Sequence, residues 1–224
     1  MSLLEPLQDL LANPPLPREL DALELWLMVM NAASLLLHAI HFAVLRPHGR
    51  GIGPVALGLV TAAGGAPATA LTHLVWDLRV TKENAWQHVL ALTSLVLWGV
   101  AYAFTHVCPP RPDVFLGNLL ALQPLAQPAA IILAGASAIT FVAFGIDKWC
   151  AIKDRWRIPE AVLLGLCCLG GTLGGLLGML LFRHKIRSTE FAWGVPLILV
   201  SQLALVAYLV NAGLVNAWAI ALGL

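Results

Sequence analysis

Asp147 closes a long apolar tract with Lys148 beside it, and Arg183, His184 and Lys185 follow the next apolar tract. Brought together, a carboxylate, an imidazole and several cations would hold an anion or a lipid headgroup, or let His184 or Asp147 serve as acid or base. A plainer task suits them equally: Asp147 neutralises Arg183 or Lys185 near lipid, and the other cations set orientation. Trp156, Arg157, Pro159 and Glu160 read as an interfacial anchor leading into a helix, since proline suits the first turn and an acid the positive end of the dipole. His38 and His41 share one helical face and His73 stands near the end of the next tract, which makes the three weak candidates for a metal. Ordinary buried or interfacial histidines would leave the same pattern. There is no Ser-His-Asp order, no phosphate-binding glycine loop and no carboxylate pair inside an apolar tract, so hydrolase, nucleotide-driven and proton-pump chemistry have no support. Cys108, Cys150, Cys167 and Cys168 lack metal-type spacing, and neither a disulfide nor a cofactor is expected.

The elements that position these residues are apolar. Of 224 residues, 59% are hydrophobic and 11% charged, and the mean hydropathy is +0.83. Such a composition excludes a soluble globular domain and a disordered chain. Charge-free tracts run over 25–45, 51–76, 84–110, 114–146, 161–182 and 191–224, each long enough to cross or deeply enter a hydrocarbon core about 30 Å thick. The expected partner is the lipid bilayer, with a homo-oligomer or a larger membrane complex left open. A net charge of +1 gives no argument for nucleic acid. Met1 to Pro6 carry no basic segment, so no removable signal peptide is expected.

The chain matches itself. At an offset of 106, residues 32–102 align without gaps on 138–208 with 13 identities, among them Ile40/Ile146, Ile52/Ile158, Gly64-Gly65/Gly170-Gly171 and Val100-Ala101-Tyr102/Val206-Ala207-Tyr208. Each repeat holds an apolar tract, a basic loop, a glycine-rich tract, a second charged loop and a last apolar tract. Between them, 107–128 carries five prolines, a density that interrupts a continuous spanning helix.

Two topologies compete. If 54–76 and 160–182 both span, the repeats are inverted and the basic residues divide six to seven, leaving orientation unspecified. If each glycine-rich tract enters, turns and leaves on its own side, loops 46–53, 77–83, 147–160 and 183–190 share one face with eleven of the thirteen basic residues. That imbalance is a positive-inside signal, with the acidic N-terminal segment outside. Gly64-Gly65-Ala66-Pro67 and the Gly170 to Gly175 run favour a turn. Gly170/Gly174 and Gly171/Gly175 also make the small-residue spacings of straight, closely packed helices.

Gly145-Ile146-Asp147-Lys148, Trp156-Arg157-Ile158-Pro159-Glu160, Gly170-Gly171 with Gly174 and Gly178-Met179, and Phe182-Arg183-His184-Lys185 form four ordered blocks. Over roughly 133–205 the chain resembles the small bacterial membrane proteins grouped as domain of unknown function 1294, a family whose name admits no settled activity. The first repeat departs from this pattern: Asp147-Lys148 becomes His41-Phe42, and Arg183-His184-Lys185 becomes Asp77-Leu78-Arg79.

The expectation is an all-α, multi-pass bundle of the bacterial inner membrane, N-terminus outside and basic loops cytoplasmic. Its parts are an interfacial segment 1–24, repeat one over 25–106, a linker over 107–128 and repeat two over 129–224. Each repeat has two spanning helices around a glycine-rich re-entrant or broken helix. The expected role is non-enzymatic transport or a channel-like passage for a small solute, ion or lipid. Binding would lie between the glycine segments (Gly170, Gly171, Gly174), with Asp147, Lys148, Arg183, His184 and Lys185 at the rim. The alternatives are a membrane enzyme acting on a headgroup and an accessory subunit.

Overall fold

The computed structural model describes residues 19–213; residues 1–18 of the expected interfacial segment lie outside them. Asp21 starts the first helix by accepting from the backbone N–H of Glu24, whose side chain answers the N–H of Asp21. That helix, α1 (Ala22–Ala39), continues through a wide turn, Ile40–Leu45. Next come α2 (Pro54–Val60), α3 (Ala66–Trp76) and α4 (Ala85–His106). The second half holds α5 (Pro112–Ala121), α6 (Gln123–Ile152), α7 (Glu160–Leu166), α8 (Thr172–Phe182), the short α9 (Thr189–Ala192) and α10 (Gly194–Asn211). The described chain is helical, and six of its stretches are long and apolar enough to cross a membrane. Large apolar side chains such as Leu36, Ile131, Ile132 and Leu181 are exposed, which suits lipid as the surrounding solvent.

The proline-rich 107–128 is more helical than expected. Pro112 and Pro124 sit in first turns, where a missing N–H costs nothing, and Pro128 stands inside α6, forfeiting one backbone bond. Helix α6 therefore begins ahead of residue 129.

Two of the six apolar stretches are broken. Between α2 and α3 the chain passes Gly64 at φ 125°, and between α7 and α8 it passes Gly170 at φ 101°, values that only glycine adopts without strain. A straight helix over Glu160–Phe182 would hold its ends about 35 Å apart. Instead Lys185 Nζ lies 2.9 Å from Glu160 Oε1, so the arms α7 and α8 return to one place. Likewise Gln87 donates to the carbonyl of Pro54 while the neighbouring His88 ring contacts the carbonyl of Asp77, which joins the two ends of the α2–α3 arms. Element bounds in the two halves keep the offset of 106: Pro54 with Glu160, Gly64 with Gly170, Ala66 with Thr172, Trp76 with Phe182.

Irregular backbone in an apolar bundle needs partners for its polar groups. Asn31 donates to the carbonyls of Leu27 and Gly64 and accepts from the N–H of Ala68. Trp26 and Trp98 donate to the carbonyls of Ala63 and Ala62. In the second half Gln202 donates to the carbonyls of Cys167 and Cys168. The halves meet along α4 and α10, where Val89 packs on Gly194. A buried core of Phe144, Leu163, Cys167, Phe191, Val195 and Ile198 closes around the second pair of arms.

Candidate functional site

At the end where α6 stops and the α7–α8 arms begin and finish, Asp147 is fully buried. Its Oδ1 accepts from the backbone N–H of Ile158 at 3.1 Å, which ties the start of the arms to α6. Its Oδ2 lies 2.9 Å from His184 Nε2; a carboxylate only accepts, so the ring donates. Lys185 Nζ stands 2.9 Å from Glu160 Oε1, 3.9 Å from Asp147 Oδ2 and 4.5 Å from the centre of the Phe191 ring. Charge-assisted bonds and a cation over an aromatic face thus hold one lysine between two carboxylates, where a small cation would otherwise fit.

Backbone geometry explains the convergence. Arg183 and Lys185 both adopt left-handed conformations, φ 47° and 59°, at the end of α8. Each costs roughly 1–2 kcal/mol for a residue with a Cβ, and the reversal turns consecutive side chains back onto α6 and α7. The strain is carried by residues whose neighbours form the network.

A cleft of about 330 Å³ opens over it, lined by Val80, Thr81, Lys82, Asp147, Arg157, Ile158, Pro159, Glu160, His184 and Lys185. Its wall carries three cations, Lys82, Arg157 and Lys185, against two carboxylates. With Lys185 engaged by Glu160, Lys82 and Arg157 give the opening a positive character suited to an anionic group.

Asp147, His184 and Lys185 thus come together. Arg183 is exposed and caps α8 through its backbone, and Lys148 is half-buried; among the described residues neither side chain makes an ion pair. Gly170, Gly171 and Gly174 lie at the other end of the arms, about 16 Å away along α8. There Gly171 packs on Thr140 and Gly174 on the backbone of Ser137. Sequence reasoning left Glu160 as a helix-start acid, whereas it is also the partner of Lys185; an acid at the first residue of an arm gave no hint of the closing cation. Lys82, from the first half, had no signal at all, because only folding brings the 77–84 loop to the second half. Asn31, the one amide of its apolar tract, was legible in principle; Gln202 shares its tract with Asn211 and Asn216 and was not singled out.

The first half has a related cleft of about 290 Å³, lined among others by His38, His41, Arg46, His73, Asp77 and Gln87. His41 takes the place of Asp147: its Nδ1 accepts from the N–H of Ile52 at 3.1 Å. Arg46 pairs with Asp77 at 3.5 Å. His38 faces His73 rather than His41, with ring centres 5.9 Å apart, and His73 in turn lies 4.4 Å from the His88 ring.

Comparison with known proteins is confined to the second half. The model of a family described as protein of unknown function (DUF1294) matches residues 137–191, a stretch that contains Asp147, Glu160, His184 and Lys185. The uncharacterized protein YsdA of Bacillus subtilis (strain 168) is 45% identical over 67 residues, which make up 30% of this chain and 75% of that relative. No solved structure matches the chain. With three quarters of a relative so covered, and the rim network inside the matched stretch, the chain belongs to the DUF1294 family.

Proposed function

We propose that this is a multi-pass protein of the bacterial inner membrane, built from two tandem repeats, each with two spanning helices around a re-entrant helical hairpin. Its second-half cleft binds an anionic group, the phosphate of a lipid or of a small solute, at the cytoplasmic rim, and the role is transport. The repeat draws support from the offset of 106, which the element bounds keep. Re-entry draws support from arms whose ends meet at Lys185 and Glu160 and whose turning points are capped by Asn31 and Gln202. Orientation follows from charge: with the arms returning, eleven of thirteen basic residues share one face.

The observation that carries the binding reading is the buried Asp147–His184 and Lys185–Glu160 network beneath Lys82 and Arg157. The pairs engage Lys185 and His184, leaving Glu160 Oε2 buried without a hydrogen bond and the two rim cations for a ligand. The test is titration of the detergent-solubilised chain with inorganic phosphate and with short-chain phosphatidic acid, read by calorimetry. The double variant Lys82→Gln/Arg157→Gln is expected to weaken binding at least tenfold with the melting temperature unchanged, and phosphate-loaded proteoliposomes should leak through the wild type alone. Binding unaltered by the double variant overturns the reading.

One observation favours an enzyme. A buried carboxylate holding one nitrogen of a histidine is the arrangement that orients a general base. A headgroup product found by mass spectrometry of membrane lipids, and lost in His184→Gln, would replace transport by catalysis.

A further inference from the structure

The first-half cleft differs in chemistry from the second, and two of its histidines carry ring nitrogens without hydrogen-bond partners. His38 is 1% exposed and His73 is 5% exposed. His38 Nδ1 lies 2.9 Å from the carbonyl oxygen of Ser34, so that nitrogen carries the proton and Nε2 keeps its lone pair. Nε2 is buried without a hydrogen bond, and so are both ring nitrogens of His73. Of the neighbouring histidines, His41 spends its Nδ1 lone pair on the N–H of Ile52, and His88, whose ring centre lies 4.4 Å from that of His73, has its two nitrogens within hydrogen-bond distance of the carbonyl oxygens of Asn84 and Asp77.

Two buried imidazole lone pairs aimed into a cleft demand a donor or a cation. Metal-bound histidines commonly give their second N–H to a backbone carbonyl, which fixes tautomer and ring orientation, and His38 has that arrangement. With metal–nitrogen bonds near 2 Å, two rings on one ion stand at most about 6 Å apart, centre to centre. His38 and His73 are 5.9 Å apart. Asp77 Oδ2 lies 3.9 Å from His73 Nδ1 and accepts from Asn84, so a carboxylate, shared with Arg46 at 3.5 Å, stands beside the two rings. His73 makes no hydrogen bond through its ring, so it is the side chain that can turn onto the ion.

We propose that His38 and His73, with Asp77 beside them, hold one divalent transition-metal ion of the imidazole-binding class, such as zinc or cobalt. The proposal is independent of the anion cleft in the second half. Among the described residues, the three donors that already lie within 4.8 Å of one another are Asp21, Glu24 and His106, at the opposite end of α1. They serve as the control, because there Asp21 caps a helix and bonds to His106.

The experiment titrates the purified, metal-stripped full chain in detergent with Co²⁺ and Zn²⁺, reading the visible bands of cobalt and the heat of zinc binding. The expected result is one ion per chain with nitrogen-ligated cobalt bands, and a tenfold or greater loss of affinity in His38→Gln and in His73→Gln. His106→Gln should bind as the wild type does. A cobalt spectrum identical to the aqueous ion in the folded wild type overturns the proposal without any variant. So does binding that survives both substitutions or disappears with His106→Gln.

Discussion

The two rims solve one structural problem with different chemistry. Where the first apolar helix of each half ends, a side chain must accept the N–H that starts the returning arms: His41 takes that of Ile52, and Asp147 that of Ile158, each at 3.1 Å. A neutral imidazole suffices in the first half, so the scaffold does not need a carboxylate there. The second half nevertheless buries one, and then requires His184, Lys185 and Glu160 to compensate it. Charge beyond what the backbone asks for is the physical reason to place function at Asp147 rather than at the arms themselves.

Removing the extra charge should hurt most. Asp147→Ala strands His184 and the N–H of Ile158 and leaves Lys185 with Glu160 alone, and loss of one partner from a buried ionic network costs about 3–5 kcal/mol. His41→Ala loses a single neutral bond, about 1 kcal/mol. Chemical unfolding of both variants measures the gap, and equal losses would dissolve the distinction between the rims. Asp147→His, which copies the first half, should fall between them.

The turning points should respond alike in the two halves. Asn31→Leu or Gln202→Leu takes the side-chain donor from one tip carbonyl, that of Gly64 or Cys168, at about 1–3 kcal/mol apiece. A loss in one half alone would mean that the tips are held differently. A smaller asymmetry lies in α8, where a Cβ on Gly174 would strike the backbone of Ser137, while its counterpart in α3 is already Ala68. Gly174→Ala should cost about 1–3 kcal/mol through overpacking, against no more than about 1 kcal/mol for Ala68→Gly.

The smallest effect belongs to the opposite end of the molecule. The N–H of Glu24, aided by His106, holds the Asp21 carboxyl below its ordinary value. A carboxyl depressed in the folded state adds stability above its unfolded pKa and loses it as pH falls through the folded one. Thermal melting of the wild type should therefore drop slightly more than that of Asp21→Asn as pH is lowered below about 4. Identical profiles would show that the cap carries no charge-dependent stability.

Much of this architecture was written in residue types. The charge-free tracts located all six apolar stretches, and Gly64 and Gly170 marked the two breaks because only glycine takes those φ values cheaply. Asp147, His184 and Lys185 stood out as ionic groups at tract ends. What spacing hid was direction. Two left-handed residues, Arg183 and Lys185, decide that His184 and Lys185 turn inward while the Arg183 side chain stays exposed, and no propensity favours arginine or lysine there. His38 and His73 were both legible as candidates, but their pairing was not, since contact across two helices depends on rotational phase that one helix cannot report.

The central claim is that both pairs of arms return to the face they left, so that the loops before and after them lie on one side of the membrane. Single cysteines replacing Arg50, Val80, Lys153 and Ile186, in a background without the four native cysteines, test it by labelling intact cells with a membrane-impermeant maleimide. All four should resist the external reagent and react only after the membrane is opened. Labelling from outside of positions 80 and 153 with 50 and 186 protected, or of 50 and 186 with 80 and 153 protected, would contradict the account.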